Sequence, residues 1–350
     1  MLTKRGHDVP VRRGQGRIVI EDSGVDVAET VSRVFGVAAS IPAVRVANDF
    51  DTIIKTVVEV ATSVLTPGQT FAIDCRRVGN QEFSSREVEV AAGNEILNRL
   101  GGVSVDLDEP DVTIHAEARD VAYVYHRLIP GPRGFPFGSQ GRLVALFSGG
   151  IDSPVAAWLM MKRGAAVELL FMDQRPFVDD AYFTRAVAVA TKLSAFVPQE
   201  EYHLTVAPMG VIMQLIAEHV TPRYICITCK RMMYRVACSL ADRDGAAGIV
   251  TGECLGQVAS QTLSNLKTIE ETASTPVYRP LIGMEKLDSI ALAKRIGTYE
   301  LSSSAVSGCS LVPKKPATKS LPVHASAAEE GLDIDGLVIE AIDNLTYVRL

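Results

Sequence analysis

Six consecutive residues constrain this chain most: Ser148-Gly149-Gly150-Ile151-Asp152-Ser153, set between an unbroken apolar run at 143–147 and a segment with strong helical punctuation. The apolar run reads as a buried strand. Ser153 can cap the helix that follows, Pro154 suits its first position, Lys162 and Arg163 suit its last turn, and Gly164 ends it. A buried strand, a glycine turn and a helix form the repeating unit of a parallel sheet covered by helices. Two glycines let the backbone approach a ligand closely, and the helix start offers unpaired N–H groups and the positive end of its dipole. With hydroxyls from Ser148 and Ser153, these make an anion site sized for phosphates. The Gly-Lys-Ser/Thr ending of a Walker loop is absent, so a grip on a γ-phosphate is less expected. A bare Gly-Gly pair would read as a tight turn and no more; strand, Ser, Asp, Ser and helix in register favour the phosphate reading.

The chain beyond the loop continues the alternation. Strands are expected at 167–172, 202–206 and 248–251, and helices at 180–193, 211–219, 228–243, 257–267 and 286–296. In such a doubly wound α/β sheet, ligands gather at the carboxyl ends of the strands. Thr251-Gly252-Glu253 follows a short strand, so Gly252 and, a little further on, Gln261 are expected to face the same crevice as the loop. Upstream, residues 50–135 read as a separate α/β unit. It has a helix at 52–65, an alternating strand through Phe71, Ile73 and Cys75, and a capping box, Ser84 with Glu87, opening a helix that runs to Leu100. The Pro/Gly-rich stretch at 129–138 reads as a linker. Residues 1–48 hold one strand-like run, Arg17-Ile18-Val19-Ile20, and a helix near 25–35. The segment 313–330 reads as a loop and 332–345 as a last helix.

A length of 350 residues suggests two or three domains. An apolar fraction of 47% with 22% charged residues fits a globular protein, and no apolar run is long enough to span a bilayer. The N-terminus lacks the apolar stretch of a signal peptide, so a cytoplasmic location and no membrane partner are expected. A net charge of −6 argues mildly against a nucleic-acid binder of the uniformly basic kind. Basic clusters exist at Lys4, Arg5, Arg12, Arg13 and Arg17, at Arg223, Lys230, Arg231 and Arg235, and at Lys314, Lys315 and Lys319. Any one of them alone reads as ordinary solvated charge.

Of six cysteines, Cys226 and Cys229 have metal-ligand spacing. A lone Cys-x-x-Cys is compatible with zinc, an iron–sulfur cluster, a redox pair or simple packing, and no second such pair exists to complete a four-cysteine zinc site. Cys309 lies in an exposed-looking Ser307-Gly308-Cys309-Ser310 stretch; if it meets the pair, three thiolates could hold a cluster and leave one iron open. Cys75, Cys238 and Cys254 read as small buried apolar residues.

The run from Phe147 through Ser153 to Pro154-Val155-Ala156 resembles the PP-loop of ATP pyrophosphatases, and in particular that of the tRNA 4-thiouridine synthetase (tRNA sulfurtransferase) family. The same family is matched by the stretch from Thr251 to Thr262, by Lys230-Arg231-Met232-Met233 and by Arg279-Pro280-Leu281-Ile282-Gly283-Met284. Cys75-Arg76-Arg77 with Phe83-Ser84-Ser85 resembles its RNA-binding THUMP domain. The resemblance implies a partial ferredoxin-like domain at 1–48, a THUMP domain at 49–135, a PP-loop catalytic domain of the adenine nucleotide alpha hydrolase type at 136–320, and a tail at 321–350. It implies ATP, held by Leu146, Phe147, Ser148, Gly149, Gly150, Asp152, Ser153, Phe171, Met172, Lys230, Gly252 and Gln261, with Asp152 holding Mg²⁺ or orienting phosphates. It further implies a tRNA partner, adenylation of a uridine O4, and displacement of AMP by sulfur handled at Cys309. The sulfur donor would be sulfide or the persulfide of a cysteine desulfurase. Without a rhodanese domain after residue 320, the chain looks like the archaeal-type members, in which Cys226, Cys229 and Cys309 would hold a 4Fe-4S or 3Fe-4S cluster. A homodimer is among the assemblies expected.

Overall fold

The computed structural model describes residues 1–14, 16–21 and 24–350. The chain divides into two compact units, Leu2–Ser32 with Val37–Gly131, and Arg33–Gly36 with Pro132–Leu350. The piece expected at 1–48 therefore does not stand apart. Most of it joins the smaller unit, while Arg33–Gly36 joins the larger, where Phe35 is buried against Trp158 and Phe196.

The smaller unit comprises β1 (Val11–Gly14), β2 (Arg17–Ile20), α1 (Val25–Val31), β3 (Ala39–Ser40), β4 (Val44–Val46), α2 (Phe50–Val64), β5 (Thr70–Arg77), α3 (Ser85–Arg99), β6 (Ser104–Val105), β7 (Val112–Ala118), β8 (Ala122–Tyr125) and β9 (Ile129–Pro130). Its main sheet runs β4-β8-β7-β5-β6, with β5 parallel to both neighbours and β8 antiparallel to both of its own. Ile53, Val57 and Ala61 of α2, with Val88, Ala92 and Ile96 of α3, share one core with the inward residues of β5, β7 and β8. The i, i+4 spacing on both helices produces that common face. The capping box is present: the Ser84 hydroxyl accepts from Glu87 N at 3.1 Å, and the Glu87 carboxylate accepts from Ser84 N at 2.6 Å.

The larger unit contains β10 (Arg142–Leu146), α4 (Asp152–Lys162), β11 (Ala166–Asp173), α5 (Asp180–Leu193), β12 (His203–Pro208), α6 (Gly210–His219), α7 (Ile225–Arg243), β13 (Ile249–Val250), α8 (Leu263–Glu270), β14 (Val277–Tyr278), α9 (Lys286–Ile296), α10 (Tyr299–Ser302), α11 (Pro322–Ala328), α12 (Ile334–Asp343) and β15 (Thr346–Arg349). The sheet order is β14-β13-β10-β11-β12-β15; five strands are parallel and β15 is antiparallel to β12. Buried side chains fill both faces, Ala145, Leu169 and Leu204 on one, Val144 and Leu170 on the other. Such two-sided burial explains why β10 and β11 read as continuous apolar runs. Among the described residues, no helix is long and apolar enough to cross a membrane.

One sequence expectation fails at the C-terminal end: the segment read as a loop at 313–330 contains α11, whereas the last helix expected at 332–345 is present as α12, followed by an edge strand. Residues before α11 are fastened to α8: the Thr262 hydroxyl donates to Thr318 O at 2.7 Å, and the Asn265 amide donates to Ala317 O at 2.8 Å and accepts from the Ser320 hydroxyl at 2.6 Å. Arg231, buried on α7, donates to Glu329 at 2.7 Å and to Thr268 O at 2.7 Å.

Candidate active site

The phosphate-type loop leaves β10 with Phe147 N still donating to Leu170 O at 2.8 Å, so the turn starts at the sheet's carboxyl edge. The helix begins two residues earlier than its sequence suggests. Ile151 already has helical angles (φ −59°, ψ −40°), no side chain caps α4, and Ser153 lies inside the first turn. The Ser153 hydroxyl instead turns back to accept from Ser148 N at 3.1 Å and sits 3.3 Å from the Ser148 hydroxyl, which itself accepts from Gly150 N at 3.4 Å. The two serines close the loop on itself rather than cap the helix. That leaves the first-turn N–H groups directed outward, the arrangement an anion requires.

Gly149 is the residue the turn cannot replace. Its φ is +69°, and a Cβ there would lie 2.5 Å from Ala186 Cα on α5. Gly252 is confined as tightly: its Cβ would meet Asp152 C and Ser153 N at 2.9 Å. The segment after β13 therefore lies directly on the loop backbone, and the two motifs expected to share a crevice do meet. Leu146 ends β10 half-buried; Phe147, Phe171 and Met172 are buried, the last two at the carboxyl end of β11 with side chains on opposite faces of the sheet. Gln261 is buried and its amide oxygen has no protein partner.

Asp152 is paired with a residue that motif reading did not single out. Lys286, the first residue of α9, places its ammonium 2.8 Å from both carboxylate oxygens. Its only sequence signal is position, two residues beyond the Arg279–Met284 motif. A second carboxylate organises the far side. Glu253 is 4% exposed and accepts from Lys230 at 2.8 Å, Tyr234 at 2.6 Å, Thr251 at 3.1 Å and Arg279 at 3.0 Å. Burial alone would raise its carboxyl; the Lys230 ammonium, with hydrogen bonds from Lys230, Tyr234 and Arg279, overrides this and holds it down at about 2. Lys230 is thus a fixed cation on a fixed anion, not a free surface charge.

Cys226 and Cys229 lie on the first turn of α7, which starts at Ile225 rather than at Thr228, so they share one helix face with Lys230 beside them. Cys229 is buried, Cys226 and Cys309 half-buried. The three thiols share one neighbourhood. Burial first, then the Cys226 and Cys309 sulfurs, push Cys229 up to about 12, and burial and Cys309 raise Cys226. The Gln174 amide donates to the Cys229 sulfur at 3.2 Å. Among the described residues, no three His, Cys, Asp or Glu side chains converge closely enough to hold a metal ion. Cys254, expected to be a packed apolar residue, is buried and donates to Leu281 O and Met284 O, both at 3.0 Å.

Two family models match the chain. Residues 138–334 match the thiamine biosynthesis protein (ThiI) family, and residues 47–127 match the THUMP domain. A probable tRNA sulfurtransferase of Methanothermobacter thermautotrophicus is 41% identical over 342 residues, covering 96% of this chain and 88% of the relative. The chain belongs to the tRNA sulfurtransferase family. A second member, from Methanobrevibacter smithii, is 39% identical across 98% of this chain and 91% of its own. The crystal structure of a 4-thiouridine synthetase in complex with RNA and with bound ATP superposes with a TM-score of 0.86 at 30% identity, covering 98% of this chain and 91% of that one. The ThiI match runs past the boundary expected at residue 320 and takes in α11, in keeping with the hydrogen bonds that bind this segment to α7 and α8.

Proposed function

We propose that this tRNA sulfurtransferase uses ATP to adenylate a uridine of tRNA and replaces its O4 by sulfur, giving 4-thiouridine. The observation that carries the reading is the meeting of an anion-binding loop (Ser148–Ser153) with Gly252, while Lys230, pinned by Glu253, stands next in sequence to a three-thiol set. The relative that superposes over nearly the whole chain is a 4-thiouridine synthetase with ATP and RNA bound, which supports the same substrates here.

In the first half-reaction the uridine O4 attacks the α-phosphorus of ATP, pyrophosphate leaves with the bonding electron pair, and the N3 proton is lost. The first turn of α4, with its unpaired N–H groups, and Lys286 beside it would stabilise charge on the departing pyrophosphate. Asp152, whose carboxylate faces the Lys286 ammonium at 2.8 Å, has the oxygen donors that Mg²⁺ prefers and would hold it; the ion when bound would supply further charge neutralisation. Gln261, with a buried oxygen lacking a protein donor, offers an acceptor to the nucleotide. In the second half-reaction hydrogen sulfide forms a bond to C4, the C4–O bond breaks, and AMP leaves with the electron pair, so no atom changes its oxidation state. A persulfide donor would require an added two-electron thiol reductant. By donor type Cys226, Cys229 and Cys309 are the thiolates that would hold an iron–sulfur cluster. Such a cluster would supply an iron free to bind sulfide. The THUMP-matching unit would hold tRNA largely by shape and phosphate contacts, in the cytoplasm where tRNA is found.

Anaerobic incubation of a tRNA transcript with ATP and sulfide should yield 4-thiouridine, and Asp152→Ala should abolish it with little loss of tRNA binding. Full activity in that variant contradicts the role given to the loop. Iron reconstitution should give a chromophore that Cys226→Ala removes; zinc, or no metal, in the wild type contradicts the cluster. The ThiI family description names thiamine biosynthesis, so a sulfur role in thiazole formation is the second reading. Nucleoside analysis of tRNA from a deletion strain, beside its thiamine requirement, separates the two.

A further inference from the structure

Two basic clusters that read separately as solvated charge meet in the larger unit. Ala317 N donates to Arg223 O at 3.0 Å, so the loop carrying Lys314, Lys315 and Lys319 lies against the turn that leads into α7. The charges then sort into two kinds. Lys230, Arg231 and Arg235 are held by Glu253 or Glu329. Arg223, Lys314, Lys315 and Lys319 are exposed and, among the described residues, have no carboxylate within ion-pair distance. In a chain of net charge −6 these four form an unneutralised positive patch. The patch borders the thiol set on both of its segments: Arg223 stands three residues before Cys226, and Lys314 five residues after Cys309. Its backbone is fixed. The fully buried Asn265 donates from one amide nitrogen to Ala317 O at 2.8 Å and to Ala259 O at 2.7 Å, and its oxygen accepts from Ser320 N at 2.9 Å. The Ser264 hydroxyl donates to Ser320 O at 2.6 Å. Ala259 opens the short turn that ends at Gln261, so one buried amide ties the basic loop to the nucleotide side of the crevice.

We propose that this patch receives the phosphate backbone of the tRNA strand that carries the target uridine. The placement rests on the thiolation reading above and adds where the substrate strand meets the larger unit. A uridine delivered to the nucleotide and then to the sulfur brings its flanking phosphates beside the residues that border both. Lysine ammoniums bind phosphate as point charges, and each contact releases counterions, which makes the attraction strong and salt-dependent. Contacts of this kind carry no sequence information; they set register and orientation, the task that presenting one uridine to a fixed crevice demands. Because Asn265 mounts the loop on the turn that holds Gln261, a strand gripped here is registered against the nucleotide site.

The test is the salt dependence of tRNA binding by the full-length protein, read by filter binding, beside kcat/KM for 4-thiouridine formation with ATP and free sulfide. The triple variant Lys314→Gln, Lys315→Gln and Lys319→Gln should flatten the slope of log affinity against log salt by about 2, the sum of three lost phosphate contacts on a single strand. Its kcat/KM for tRNA should fall about tenfold near physiological salt. The matching triple exchange to Arg, which keeps the charges, should restore both. An unchanged slope, or an unchanged kcat/KM with sulfide, overturns the proposal. A defect that appears only when a cysteine desulfurase supplies the sulfur also overturns it, in favour of a protein partner at this patch. Absence of 4-thiouridine from the wild type contradicts the thiolation reading instead, and the salt slope still reports RNA binding in that case.

Discussion

The phosphate loop and the thiol set differ in how the chain builds them. The loop is made by six consecutive residues, held by hydrogen bonds between Ser148, Gly150 and Ser153 and by close packing against Gly252 and Ala186. The thiol set joins the start of α7 to a cysteine eighty residues later in sequence, whose neighbours Ser310 and Ser307 are held by Phe177 O and Asp179 of another segment. A locally closed device tolerates little change at its own residues. A device assembled from distant segments depends on the residues that carry it, and its members need not resemble one another in reactivity.

The largest effect should come from Gly149→Ala, which combines a left-handed backbone with a 2.5 Å approach to Ala186 Cα. Calorimetric titration should show ATP affinity reduced by at least about a hundredfold, in line with strain of about 3 kcal/mol. Unchanged affinity would place the nucleotide elsewhere. Next is Glu253→Gln, which leaves Lys230 and Arg279 without their buried carboxylate. Urea unfolding should show a loss of about 2 kcal/mol. Because the folded Glu253 carboxyl is held at about 2, below its usual value, its stabilisation is complete above the ordinary Glu range and is lost as pH falls toward 2. The wild type should therefore lose more stability than Glu253→Gln on acidification from neutral pH into that window.

Smaller again is a difference within the thiol set. Cys229 is buried with its thiol pushed up to about 12, while Cys226 is half-buried. Alkylation of the metal-free protein followed by peptide mapping should label Cys226 at least about ten times faster, since the thiolate is the nucleophile. Equal rates would mean that the first turn of α7 opens freely. The smallest effect belongs to the smaller unit. Ser84→Ala, breaking the capping box of α3, should cost the smaller unit about 1 kcal/mol in thermal unfolding.

What sequence reading captured and missed follows the same division. Strand, loop and helix around Ser148 are adjacent in the chain and carry their own signals, as does the capping box at Ser84. Where the reading of the loop erred, it erred by two residues. Ser153 is a good cap residue, but Ile151 is already helical, so the hydroxyl serves the loop. Lys286 carries no local signal, because its partner Asp152 lies 134 residues away. The tail misled for a like reason. Residues 313–321 do form a loop, anchored through Thr262, Ser264 and Asn265, and the misread part is α11 (Pro322–Ala328), which gains its place from Arg231 of a distant helix. β15 is four residues long and gains its identity only from pairing with β12.

The separation of the two devices is tested most directly by tRNA-dependent pyrophosphate release in Cys309→Ala beside Asp152→Asn, with 4-thiouridine measured in the same reactions. Expected is near wild-type pyrophosphate release but no thiolation from Cys309→Ala, and neither product from Asp152→Asn. Loss of pyrophosphate release in Cys309→Ala, or 4-thiouridine formed by Asp152→Asn, would contradict a loop that activates and a thiol set that delivers.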